Sequence, residues 1–208
     1  MFGCAFCSAY ASAQIIVPPT PTLITPPEGA KVFLLGHAKG TQGYVCLPTA
    51  PGANTAAWTV NPARPEATLF TNFFGQDFQI ITHFASPDAK PNKFAPTPLP
   101  GGGNATWQSS FDSSRIWAAV LHGNTIPPSV DQPSCPNVGS IACLLLQSIG
   151  NDAGPTGGRL LADATFVQRL NTKGGLAPAT GCSTSGDVGK LALVPYTADY
   201  YFYHGGVE

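Results

Sequence analysis

The chain has 208 residues, 43% of them hydrophobic and only 10% charged, with a net charge of −1, where an average globular protein is roughly 25% charged. That excludes a disordered chain, which combines low hydrophobicity with high charge, and it leaves no basic stripe for a nucleic-acid partner or an anionic membrane surface. The 23 Gly and 21 Pro suit many short strands joined by tight turns, and the length suits one domain.

Residues 2–10 are apolar and small, and Ala11-Ser12-Ala13 precedes Gln14. Small residues at these positions are what a signal peptidase accepts, so residues 1–13 read as the remnant of an export signal, although the segment is short and lacks a basic start. Residues 14–27 are rich in Pro and Thr and read as an extended arm. A single β domain is expected over 28–208. Its first strand is expected at 31–35, followed by a break in the extended pattern at 36–43, which holds three glycines, and a resumed extended stretch at 44–47. Short strands at 57–60 and 67–70 are separated by Asn61-Pro62 and Arg64-Pro65 turns. Phe73-Phe74-Gly75 is another turn. Residues 78–84 alternate, with Phe78, Ile80 and Thr82 on one side and Gln79, Ile81 and His83 on the other.

The stretch 85–103 is irregular, with five Pro and three consecutive Gly. Loops of that length are usually functional or mobile. Strands at 106–108 and 114–121 flank an Asp112-Ser113 turn, and a second long loop covers 122–139. The apolar run 141–148 reads as a central buried strand, and 160–164 as a short helix. Strands at 164–170 and 200–203 complete the chain. No apolar run approaches the roughly 20 residues that span a bilayer, and no repeat of solenoid or propeller length is present. The spacing predicts an all-β fold, a β-sandwich or an irregular β-barrel with long Pro/Gly-rich loops.

Cys4 and Cys7 form a C-x-x-C pair inside the export segment, without the βαβ pattern of a redox protein. The remaining four, Cys46, Cys135, Cys143 and Cys182, admit three pairings. Cys135 and Cys143 stand eight apart, and a local bridge between them is geometrically easy. Cys46 and Cys182 would then tie an early strand to a late loop. Zinc would call for close Cys pairs or His partners in register, which the chain beyond residue 13 does not offer. Disulfides point to an oxidising, extracytoplasmic compartment.

Several segments taken together carry a resemblance. They are Gly36 to Cys46 (GHAKGTQGYVC), Thr82-His83-Phe84, Ala105-Thr106-Trp107-Gln108, Gln168 to Gly175 (QRLNTKGG), Ala177-Pro178, Gly181-Cys182, and Val194 to Tyr203 (VPYTADYYFY). In this order they resemble the family catalogued as domain of unknown function 3455, found in secreted bacterial and fungal proteins, over roughly residues 26–204. The resemblance implies export and no established activity. A malate dehydrogenase label attached to some fungal members finds no support here, because no G-x-G-x-x-G follows a strand. The family pattern has cysteines at Cys46 and Cys182, which supports pairing them. It usually has Trp where this chain has Cys143, and Cys135 also lies outside the pattern, so these two read as a paired addition.

Candidate chemistry is sparse. No G-x-S-x-G elbow is present, and His37, His83, His122 and His204 show no H-x-H or H-x-x-x-H spacing. Neither a cofactor nor a metal is expected. Trp58, Trp107 and Trp117, with the tyrosines that close the chain, suit a core, or a platform that stacks on sugars or other flat ligands. In so uncharged a chain, Arg169 in mid-strand and Asp199 before the tyrosine run stand out as partly buried charges. One expectation is a single polar pocket shared by Gln42, His83, Trp107, Asp112, Arg169, Tyr196 and Asp199. The protein is then a binding, surface or structural domain for a small molecule, glycan or cell-surface component. The alternative is a secreted hydrolase or metalloenzyme with a site assembled around His83.

Overall fold

A strand buries alternate side chains on one face, and an open sheet of such strands leaves two unpaired edges. Here the edges are removed by closure. A computed structural model describes residues 14–87, 103–123, 134–135 and 139–207, with the backbone alone for 62–64. The segment 1–13 with Cys4 and Cys7, and most of the expected loops at 85–103 and 122–139, lie outside the described residues. Eight strands are described: β1 (Lys31–Pro48), β2 (Ala56–Phe73), β3 (Gln76–Ser86), β4 (Asn104–Ser109), β5 (Arg115–His122), β6 (Leu144–Asp152), β7 (Phe166–Gly174) and β8 (Leu191–His204). Each pairs antiparallel with the next, and β8 returns to pair with β1. The sheet is a closed ring, the irregular barrel of the two expected architectures. Its outline is irregular because bulges shift the register at Gln42/Tyr44, Leu69/Phe70 and Leu170/Lys173, among others.

Several expected boundaries are corrected. The glycines of 36–43 do not interrupt the strand. β1 runs straight through them, and Gly40 meets β2 so closely that a Cβ there would lie 2.1 Å from the Glu66 carbonyl oxygen. Glycine at such a strand position permits close backbone approach. β2 likewise continues past Pro62 and Pro65, which sit beside the bulge between Val60 and Pro65 that faces Gln42 and Tyr44, a place where a missing N–H costs no ladder bond. Residues 160–163 form a turn, not a helix, and β6 begins at Leu144. The alternation in β3 also breaks. Ile80 and Ile81 are both buried because the bulge opposite Leu69 and Phe70 leaves Ile80 unpaired, so Ile81 and His83 face in while Gln79 shares the outer side with Thr82, to which it donates a hydrogen bond.

Two apolar layers follow from the ring. The interior holds Leu69, Ile81, Trp107, Ile116, Leu146, Val167, Tyr200 and Phe202, each at most 3% exposed. A second layer lies outside β6, β7 and β8, where Ile24, Leu145, Phe166, Leu170, Tyr201 and Tyr203 pack together with Ile15 and Val17 of the arm. Both predicted disulfides are present, Cys46–Cys182 and Cys135–Cys143.

The strand directions also sort the connections. The β2–β3 and β4–β5 turns and the β6–β7 connection share one end of the barrel. The β1–β2, β3–β4, β5–β6 and β7–β8 connections, which include the longest, share the other.

Candidate functional site

At the long-loop end the barrel interior is not filled. A cavity of about 250 Å³ is lined by Gln42, Val60, Asn61 and Pro65 from β1 and β2, and by His83, Trp107 and Tyr200 along one wall. Ala118, Val120, Leu144, Leu146 and Arg169 face them, with Asn104 at the start of β4. Val60 and Val120, 52% and 46% exposed, mark the rim.

The aromatic wall is a product of register. His83 stands directly opposite Trp107 across the β3–β4 ladder, the arrangement in which cross-strand side chains touch. Their rings stack at 4.3 Å with 9° between planes, and Tyr200 leans on both at 5.7 Å. The Tyr200 hydroxyl is 3.1 Å from that of Tyr196, whose ionisation is pushed well up by burial first and then by Tyr200. His83 Nδ1–H donates to the Thr106 carbonyl at 2.8 Å, which leaves Nε2 with the lone pair. Burial pushes the His83 pKa down to about 4; the Thr106 bond opposes this and the Arg169 charge adds to it.

The imidazole is therefore neutral at neutral pH. The unfolded chain takes up its proton near pH 6.5, whereas the folded chain resists until about pH 4. This contribution to stability is complete above pH 6.5 and falls by about 3 kcal/mol as pH drops towards 4. Urea midpoints at pH 7.5 and 4.5 should show that loss in the native protein, and a much smaller one in His83→Gln. Equal losses in the two proteins would remove His83 as its source.

Among the described residues, two polar atoms in the lining lack a partner: Trp107 Nε1, a donor, and Asn104 Oδ1, an acceptor. Their residues are 1% and 4% exposed. Buried polar atoms without partners are uncommon and invite an explanation. Arg169 points inward by alternation with Val167, is partly buried, and donates from Nε and Nη2 to the Ala142 carbonyl at 3.0 and 2.8 Å.

Of the seven residues expected in one pocket, Gln42, His83, Trp107 and Arg169 line this cavity, and Tyr196 stands behind Tyr200. Asp199 and Asp112 do not join them. Asp199 alternates outward with Tyr201 and Tyr203, where it pairs with His37 Nδ1 at 2.6 Å and accepts from Asn171 at 2.7 Å. Asp112 lies at the opposite end, in the β4–β5 turn. There its carboxylate accepts from the Ser114 hydroxyl at 2.7 Å and from the Leu160 and Ser114 amides at 2.9 and 3.0 Å. Desolvation of that carboxyl is outweighed by these bonds, which bring its pKa down to about 2. Its role is to tie the β4–β5 turn to the β6–β7 connection.

The tryptophans form no common platform. Trp107 is in the cavity, Trp117 is buried, and Trp58 donates to the Thr180 carbonyl near the β7–β8 connection. Sequence reasoning passed over Asn104 and weighed Tyr200 only as one of the tyrosines that close the chain. The tyrosine run that closes the chain was the available signal for Tyr200; Asn104, following three glycines, offered none. Among the described residues no group of three or more His, Cys, Asp or Glu side chains is placed to hold a metal, and no helix is long and apolar enough to cross a membrane.

Residues 26–204 match the family model described as a protein of unknown function (DUF3455). No curated protein and no solved structure matches the chain.

Proposed function

The chain belongs to the DUF3455 family, and we propose that it binds a small, largely apolar ligand in the mouth of its barrel, outside the cytoplasm. The observation that carries this reading is the cavity of about 250 Å³ at the long-loop end of the barrel interior. Closed barrels of about eight strands have room for packed side chains or for one small ligand, and barrel mouths are a common place for such sites. A dry apolar cavity of roughly 150 Å³ admits benzene, so this one suits a compound of about two rings. The His83–Trp107 stack and Tyr200 offer it a flat aromatic wall, and Leu144, Leu146 and Ala118 an aliphatic one.

Export is part of the proposal. Two disulfides persist in oxidising compartments and are rare in the cytosol. The enzymatic alternative has less behind it. A general base needs an orienting partner and a reacting group within reach. The His83 Nδ1 is bonded to a backbone carbonyl instead, and Arg169 is the charge that faces it. A His–carboxylate pair among the described residues, His37 with Asp199, lies on the outer surface.

The test is calorimetric titration of 2-naphthamide, a neutral two-ring probe, into the native protein and into Ala118→Leu. Ala118 is 3% exposed and lines the cavity, so the larger side chain takes up ligand space. Binding should be saturable in the native protein and at least tenfold weaker in the variant, with melting little changed. An absence of binding, or equal binding by the two, would reject the cavity as the site.

A further inference from the structure

We propose that the ligand is a carboxylic acid, its carboxylate held by Arg169 at the mouth of the cavity and its apolar body laid against the His83–Trp107 wall. This rests on the cavity being a ligand site and specifies what it takes. Among the described lining residues Arg169 is the one charged at neutral pH, because no Asp, Glu or Lys lines the cavity and His83 is held neutral. The charge therefore stands alone in a mostly apolar setting. Its Nε and Nη2 share a single acceptor, the Ala142 carbonyl. A guanidinium carries five N–H donors in a planar fork, so the Nη1 side remains for another acceptor. Among the described residues no carboxylate pairs with Arg169.

A partly buried cation with no counterion is unfavourable on its own. It becomes favourable when an anion completes it, and the planar fork fits a carboxylate with two parallel bonds. The field of Arg169 is felt well inside the barrel, since it acts on the titration of His83, Tyr44 and Tyr196. A phosphate monoester, with nearly two charges, would call for more than one cation and a wetter site; one arginine between aliphatic and aromatic walls matches a monoanion on an apolar body. The two unpartnered atoms extend the specification. Trp107 Nε1 is a further donor, and Asn104 Oδ1 would accept from a hydroxyl or amine on the same ligand.

The test compares 2-naphthoate with its neutral isostere 2-naphthamide, by calorimetry at pH 7.5, in the native protein, Arg169→Gln and Arg169→Lys. The native protein should bind the acid at least tenfold more tightly than the amide. Arg169→Gln should abolish that preference, and Arg169→Lys should keep part of it. The preference should also shrink as salt rises. Equal affinity for acid and amide in the native protein would overturn the carboxylate assignment and leave the cavity reading intact. A preference that survives in Arg169→Gln would overturn the role of Arg169. Failure of both probes to bind would overturn the cavity reading itself.

Discussion

Serine at both Cys46 and Cys182 is expected to lower stability at neutral pH by about 5 kcal/mol, from the entropy of closing so long a loop. The bridge spans 136 residues, from β1 near the start of the barrel to the β7–β8 connection near its end. Closure of the ring is what makes the two ends meet. Cys46 is fully buried, and its own amide and carbonyl are bonded to Lys190 and Gly189. Folding must therefore bring this connection onto β1 whether or not the sulfurs are joined, and without the bridge the unfolded chain gives up more freedom to do so. The comparison that makes the expectation sharp is the other bridge. Cys135 and Cys143 are 8 residues apart, and the same argument gives only about 2.5 kcal/mol for their double serine variant. Urea unfolding of the three oxidised proteins measures both. A domain of this kind has roughly 5–15 kcal/mol in all, so the first variant should be marginal at 25 °C, and at this chain length the melting temperature should fall by roughly 10–20 °C. If the short-loop variant proves the less stable, loop closure is not the source of the effect.

What could be read in advance, and what could not, divides along physical lines. Composition predicted all-β architecture because short strands separated by Pro and Gly leave few alternatives, and the scarcity of charge singled out Arg169, which lines the cavity. Ring closure was not readable, since it depends on β8 finding β1 some 160 residues away, with His37 opposite Asp199. The glycines at 36, 40 and 43 read as a break between strands because a break and a close crossing place the same demand on a residue, the absence of a Cβ. Only the position of Glu66 beside Gly40 tells the two apart. Side-chain direction failed at the bulge in β3, where one unpaired residue, Ile80, reverses the faces on either side of it. Ile81 and His83 keep the shared side that alternation gives them, and the residues before Ile80 change sides. Asp199 misled for the opposite reason. In a run where Tyr196, Tyr200, Tyr201 and Tyr203 are all buried, the apolar second layer hides which face is the interior.

That second layer supplies the other large effect. Gln168 is fully buried on the outer face of β7. Its Nε2 donates to the Ile24 carbonyl at 2.7 Å, and its Oε1 accepts from the Tyr203 hydroxyl at 2.7 Å. One amide thus fastens the arm to β7 and β8 together. Replacing it by leucine keeps the volume but leaves a buried carbonyl and a buried hydroxyl unpaired, at about 1–3 kcal/mol each, so Gln168→Leu should cost about 4 kcal/mol. The apolar contacts of Ile15, Val17 and Ile24 remain but lose their anchor, and limited proteolysis should cut the arm before the barrel. Adding Tyr203→Phe should recover part of the loss, because removing both partners of a buried bond costs less than removing one. Binding of 2-naphthamide should not change, since Gln168 faces away from the cavity. A Gln168→Leu protein as stable as the native one would mean that the arm is held by its apolar contacts alone. A weakened ligand affinity in that variant would mean that the outer layer sets the shape of the barrel mouth from behind.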